Sequence, residues 1–157
     1  MTVDDYEDQG FQILTECLCQ RVSAVDIQPT ARYTPYDAEV HLPSGILLVE
    51  IKARHLTPGQ YDRLFMEQKK SNAMLRVAAE RSDVIGLRYF NFYSRPHRGR
   101  GSALMWRVTE DMPYESRLLT MNRRTSSDIS TGSKKVKRVW LMPTEGADRF
   151  EFRRTLL

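Results

Sequence analysis

Cysteine and histidine are scarce in this chain, two and three in 157 residues. Cys17 and Cys19 stand two apart in a stretch patterned as a helix, so they point about 200° apart around it. No further Cys or His cluster completes a zinc site with them, and both read as reduced thiols. Long apolar runs are lacking as well. Nothing approaches the roughly 18–20 residues needed to cross a bilayer, and the acidic start MTVDDYED has no basic n-region of a signal peptide. The expectation is a soluble, unexported, cytoplasmic chain with no membrane partner. No internal repeat and no linker marks a second domain, so residues 1–157 read as one domain, long enough for a single sizeable core. With 41% hydrophobic, 28% charged and 10% aromatic residues, a disordered chain, a collagen-like repeat and a coiled-coil rod are excluded.

Positive charge is nearly missing from the first fifty residues. They hold two Lys/Arg against nine Asp/Glu, a net of −7, so residues 51–157 carry 22 against 11, a net of +11, and the whole chain +4. Such segregation points to a polyanion partner, with an acidic part that holds cations and a basic part that holds phosphates. The alternative is two solvated faces.

From Asp4 to about Ser23, Phe11, Leu14, Leu18 and Val22 recur at helical spacing and predict an amphipathic opening helix. Glu7 falls on the inward stripe of that helix. A carboxylate there needs a partner, a cation or a water-filled cleft, unless it lies in a solvated first turn, where it suits the helix dipole. Residues 25–33 predict a first strand interrupted near Pro29. Residues 37–53, DAEVHLPSGILLVEIKA, predict two strands joined at Pro43-Ser44-Gly45. With an even loop such as Ser44-Gly45, Ala38, Val40, Leu42, Leu47, Val49 and Ile51 share an apolar face. Asp37, Glu39, His41, Glu50 and Lys52 then share the other with Leu48. A three-residue loop with a bulge would put Asp37 and Glu50 on opposite faces.

Thr57-Pro58-Gly59-Gln60 reads as a helix start, with a Thr cap, Pro at the first position and Gln in the capping-box place, and predicts a helix to about Arg81. Gln68 and Asn72 interrupt its apolar stripe, so either the helix tilts from the core or these amides line a polar site. Residues 84–94 and 102–110 predict strands flanking the loop RPHRGRG at 95–101. Arg88, Arg95, Arg98, Arg100 and Arg107 gather there, and the glycines beside Arg100 would let a backbone approach a phosphate. The competing reading is a solvated hairpin tip. If all five arginines met phosphates, log K would fall with log salt at a slope of about −4.5. The polar stretch RRTSSDISTGSKKVKR predicts mobility, followed by a last strand VKRVWLMP and an extended tail.

Asp37, Glu50 and Lys52 form the most specific pattern. Two carboxylates on one face of a hairpin can hold a hard divalent cation, with the Ile51 carbonyl as a third ligand. Lys52 would reach toward the metal-bound water or a scissile phosphate. Phosphodiester hydrolysis calls for those parts. The order acidic helix, Tyr36-Asp37, hairpin, Glu50-Ile51-Lys52, long helix and further strand resembles the PD-(D/E)XK nuclease superfamily over roughly residues 5–93. Glu50-Ile51-Lys52 through Gln60 is similar to its VRR-NUC branch, and phage exonucleases and Holliday junction resolvases belong to the same superfamily. The resemblance implies an α/β (α+β) restriction-endonuclease-like core, a mixed sheet of about four strands between helices, with a basic extension of extra strands over about 94–157. It implies Mg²⁺ or Mn²⁺ on Asp37 and Glu50, water activation or charge stabilisation by Lys52, a helix-borne acid at Glu7, and Gln60 near the site. The implied activity is a DNA nuclease of phage or mobile-element type, as a homodimer in a junction-resolving version. The sequence departs from the pattern at Pro35, one position earlier than the family's Pro-Asp pair, and a shifted strand would hand the ligand role to Glu39. A nucleic-acid-binding module on the same fold, without the reaction, is the alternative.

Overall fold

The computed structural model describes residues 3–22, 26–31, 33–97, 99–122 and 134–154, with the side chains of residues 3–8, 94–97, 122 and 134 outside that description. Helix α1 (Val3–Cys19) is followed by β1 (Asp26–Pro29), then by β2 (Ala38–Leu42) and β3 (Gly45–Arg54) as a hairpin. Strand β4 (Arg63–Glu67) leads into helix α2 (Gln68–Glu80), and β5 (Val84–His97) and β6 (Arg100–Val108) form a second hairpin. The described chain closes with β7 (Glu115–Asn122), β8 (Lys134–Pro143) and β9 (Asp148–Arg153). The architecture is α+β. A mixed six-stranded sheet runs β1-β2-β3-β5-β6-β9, parallel at β3–β5 and antiparallel elsewhere, and a three-stranded antiparallel sheet runs β4-β8-β7.

Alternation along β2 and β3 sorts the side chains. Leu42 pairs with Gly45, which leaves a two-residue Pro43-Ser44 loop. The parity is even, one residue earlier than a Ser44-Gly45 loop. Gly45 has φ 144°, and a Cβ there would lie 2.4 Å from Ile85 Cγ2 and 2.9 Å from the Asp83 carbonyl oxygen, so only glycine fits where β3 starts beside β5. Ala38, Val40 and Val49 pack with Ile13, Leu14 and Cys17 of α1 and with Phe90 and Phe92 of β5. Leu48 belongs to the opposite face, with Leu64, Met66, Met74, Tyr89 and Trp106. Helix α1 thus covers one face of the large sheet, and α2 with the small sheet covers the other. Each such side chain taken fully from water contributes about 1.5–3 kcal/mol.

The long helix expected from Thr57 does not form. Gly59 has φ 83° and follows Pro58, the signature of a type II turn, and the Gln60 amide closes it by donating to the Thr57 carbonyl at 3.2 Å. Residues 63–67 then follow period two rather than 3.6: Leu64 and Met66 are buried, and Arg63, Phe65 and Glu67 alternate with them in register with β8. The helix is confined to Gln68–Glu80. Gln68 faces the small sheet, donating to Ser116 Oγ at 2.7 Å, and Asn72 is exposed.

Helix α1 ends at Cys19, short of Ser23. Gln20 then exchanges two hydrogen bonds with the Arg153 backbone, and Arg21 donates to the Glu151 carbonyl, so the outer edge of β9 is covered. Cys17 is buried and Cys19 exposed, and burial pushes the Cys17 thiol up to about 12. Two strands lie where the sequence indicated none: β7, and β9 in the expected tail. Residues 123–133, expected to be mobile, lie outside the described residues.

Candidate functional site

The site begins where β2 gives way to β3. Ala38 pairs with Val49, and the Asp37 amide donates to the Val49 carbonyl at 2.9 Å, so Asp37 stands across from Glu50. Its carboxylate accepts the Ile51 amide at 2.7 Å, which turns Asp37 along the strand edge toward Glu50. The N–H and C=O of one extended residue point to the same side. The Ile51 carbonyl therefore projects past the end of β2, beside Asp37. Both carboxylates lie on the face of the sheet that carries Leu48.

Glu50 is 8% exposed, and its Oε2 has no hydrogen-bond donor. Its other oxygen receives Lys70 Nζ, from the first turn of α2, at 3.0 Å. Burial pushes the Glu50 carboxyl up to about 8, the Asp37 charge adds to this, and Lys70 opposes it. Burial pulls Lys70 down, but the attraction of Glu50, and behind it Asp37 and Glu67, outweighs burial and holds it above the usual lysine range. Lys52 lies on the same face two residues on from Glu50, is exposed, and is in register with Asn91.

A second polar layer sits beyond Lys52. Arg54 Nε donates to Asn91 Oδ1 at 2.7 Å, its Nη2 donates to the Phe65 carbonyl at 2.9 Å, and its guanidinium lies 4.3 Å from the centre of the Phe65 ring. Tyr89 OH donates to the same carbonyl at 3.1 Å. This clamp fixes β4, and with it the start of α2 and Lys70, over the ends of β3 and β5. Asn91 is wholly buried, and its Nδ2 has no acceptor.

The remaining predicted residues fall in different places. Glu39 is engaged by Arg81, by Tyr36 OH at 3.0 Å and by His41 Nε2 at 3.1 Å. Burial pushes its carboxyl up, but those hydrogen bonds outweigh burial and hold it below the usual range. Asp37, not Glu39, therefore stands beside Glu50. Gln60 is exposed and turned to its own loop, its Oε1 accepting from the Thr57 amide at 3.3 Å. Arg88 and Arg107 are cross-strand partners, and at even separations they share the α1 face with Phe90, Phe92, Ala103 and Met105. They are on the opposite side of the sheet from the acid pair, because a pleated strand places every second residue on the same face. Arg100 shares its face of β6 with Leu104, the acid pair's side of the sheet, two strands from β3. Glu7 lies in α1, whose Gly10 abuts Ile51; its side chain and that of Arg95 are outside the described side chains, and Arg98 is outside the described residues.

Sequence reasoning missed Lys70. The signal was there in Lys69-Lys70, at the start of a polar stripe, but the misplaced helix start put them deep in a helix.

Among the described residues no group of three or more His, Cys, Asp and Glu side chains converges. The donors that do meet are two carboxylates, one buried oxygen without a donor, and a carbonyl at an open strand edge. They suit a hard cation such as Mg²⁺, which takes one or two carboxylates and completes its shell with water and substrate oxygens. No family model, curated protein or solved structure matches this chain.

Proposed function

We propose that this protein is a Mg²⁺- or Mn²⁺-dependent nuclease of PD-(D/E)XK type that hydrolyses phosphodiester bonds of DNA. The observation that carries the reading is the convergence of Asp37 with Glu50, whose buried Oε2 lacks a donor and whose Oε1 meets Lys70. A buried carboxylate oxygen left unpaired costs about 1–3 kcal/mol or more, and a cation held by Asp37, Glu50 and the Ile51 carbonyl would offset that cost. The segment α1-β1-β2-β3-α2-β5 supports the same reading. Its strands are ordered β1-β2-β3-β5, parallel only at β3–β5, with the two helices on opposite faces. This agrees with a restriction-endonuclease-like core, to which β4, β6, β7, β8 and β9 are additions.

The divalent ion, when bound, supplies Lewis acidity and a water of lowered pKa. Asp37 keeps its orientation through the Ile51 amide. Lys52, exposed on the open side, meets the phosphate and the negative charge that develops on it. Lys70 meets Glu50 Oε1 in the metal-free protein, and on its flexible stem it turns toward the substrate phosphate once Glu50 is otherwise occupied. A junction-resolving version would act as a two-fold dimer with two such sites.

The alternative, a nucleic-acid-binding module without hydrolysis, draws on one observation: Lys70 already pairs with Glu50. That reading predicts DNA binding indifferent to Mg²⁺ and to Asp37→Asn. Linear, nicked, single-stranded and branched DNA, each incubated with and without Mg²⁺, separate the two. The nuclease reading expects metal-dependent cleavage of at least one substrate, lost in Lys52→Ala. Full cleavage by that variant, or none by the unaltered protein on any substrate, would refute it.

A further inference from the structure

We infer that the corner of the large sheet formed by β6 and β9, on the acid pair's face, is a track for the DNA backbone, with Arg149 on one phosphate and Arg100 and Arg153 on another. The inference rests on the nuclease reading only for the class of ligand. Register places the three arginines on one face. Leu104 of β6 lies on the acid pair's side and is in register with Arg149 of β9, and Arg100 is in register with Arg153. Even spacing along each strand keeps Arg100 with Leu104 and Arg153 with Arg149. The intervening Phe150 and Phe152 pack on the α1 side. Tyr93 agrees with this placement. Burial pushes its hydroxyl up, and the charges of Arg149 and then Arg54 pull against it, so both guanidinium groups stand near the same ring.

The charges of this corner are open. Arg100, Arg149 and Arg153 are exposed. Among the described residues no carboxylate pairs with any of them, whereas Arg154 is held by Glu16, Arg63 and Arg117 by Glu115, and Arg81 by Glu39 and Asp83. Arg100 and Arg153 are direct cross-strand neighbours, their Cβ atoms about 4.5–5.5 Å apart, and like charges so placed repel. A phosphate between them relieves that repulsion and accepts hydrogen bonds from both. Glu151, across from Ser102, stands between Arg149 and Arg153 on the same side, and its charge opposes an anion there.

The track is in line with the acid pair. Lys52, Asn91, Leu104 and Arg149 follow one another in register across β3, β5, β6 and β9. Arg149 is therefore three strand spacings from Lys52, about 14 Å, and Arg153 lies about 14 Å further along β9. One DNA strand advances about 3.4 Å per nucleotide. A backbone with its scissile phosphate at Lys52 thus reaches Arg149 about four nucleotides away. By contrast, Arg88 and Arg107 are on the far face of the sheet, where the same backbone would not reach.

Fluorescence anisotropy of a labelled DNA duplex with the full chain, in EDTA and across a salt series, tests this without cleavage. Arg100→Ala/Arg149→Ala/Arg153→Ala should weaken binding and make the slope of log K against log salt shallower by about 1.8, at about 0.9 for each of two phosphates no longer neutralised. Arg149→Ala alone should account for about 0.9 of that change. Glu151→Gln should bind more tightly, and Arg88→Ala/Arg107→Ala should bind as the unaltered protein does. Circular dichroism checks folding, and Arg149→Glu, at an exposed position, provides a second variant. The inference is overturned by unchanged affinity and slope in the triple variant and Arg149→Glu. It is equally overturned if Arg88→Ala/Arg107→Ala loses as much, which would mark a general attraction, or if Glu151→Gln binds no tighter. DNA cleavage with binding independent of these arginines would refute the track and leave the nuclease reading. Binding that depends on them with no cleavage under any metal would do the reverse.

Discussion

Glu50 allows the buried half of the site to be tested without any substrate. Burial, and then the neighbouring Asp37, push its carboxyl up to about 8 against the pull of Lys70, whereas an unfolded chain titrates a glutamate near about 4.3. The folded state therefore holds the proton more tightly. The stability this confers is fully present below the unfolded value and is lost as pH rises through about 8. At about 1.4 kcal/mol per pH unit between the two values, the whole loss is of the order of 4–5 kcal/mol. That is a large part of the roughly 5–15 kcal/mol that holds a domain folded. Glu50→Gln keeps the shape and cannot ionise. Urea unfolding in EDTA, followed by tryptophan fluorescence, should find variant and parent differing little near about pH 5 and the variant the more stable by several kcal/mol near about pH 9. Taking the difference between them cancels carboxyls such as Glu39, held low by hydrogen bonds that outweigh burial, whose contribution is lost only on the acid side. Mg²⁺ at the alkaline end should restore the parent and leave Glu50→Gln unmoved. Parallel profiles for the two proteins would refute the description of Glu50 as a buried carboxyl crowded by Asp37.

Other consequences follow from the same geometry. Lys70→Ala should lower cleavage by about 10²–10³, as for loss of one transition-state donor. It should cost only about 1–2 kcal/mol of stability, because Lys70 is partly in water; cleavage rates and urea midpoints read the two effects. Arg54→Ala should destabilise by about 2–3 kcal/mol, since buried Asn91 then loses its donor and the Phe65 carbonyl one of two; an unchanged urea midpoint would count against the clamp. Gly45→Ala should cost about 2–3 kcal/mol, because its Cβ would lie 2.4 Å from Ile85 Cγ2 at a φ of 144°; thermal unfolding measures it.

The legible parts of the sequence were those with a strong period. Alternation from Ala38 to Ile51 gave the hairpin and its two faces, with Asp37 and Glu50 on the same one, but the register that sets them across from each other comes from the Pro43-Ser44 loop, one residue earlier than Ser44-Gly45. The opening helix followed from Phe11, Leu14 and Leu18. Thr57-Pro58-Gly59-Gln60 misled because a capping box and a type II turn use the same residues, and the choice depends on whether Gly59 takes a positive φ. Leu64 and Met66 hold their strand only because β8 lies beside them, a partner more than seventy residues away. The basic residues misled for a related reason. Their number was visible, but not that Arg88 and Arg107 share the α1 face while Lys70 meets Glu50 on the other. Pairing across a sheet, not local spacing, decides that.

Cleavage of DNA by the protein and by Asp37→Asn, with Mg²⁺ or EDTA present, bears most directly on the central claim. Asp37 holds no core packing in place, so the variant should fold, bind duplex as before and fail to cleave, while the unaltered protein cleaves only with the metal. Undiminished cleavage by Asp37→Asn, or no metal-dependent cleavage by the unaltered protein, would contradict the claim.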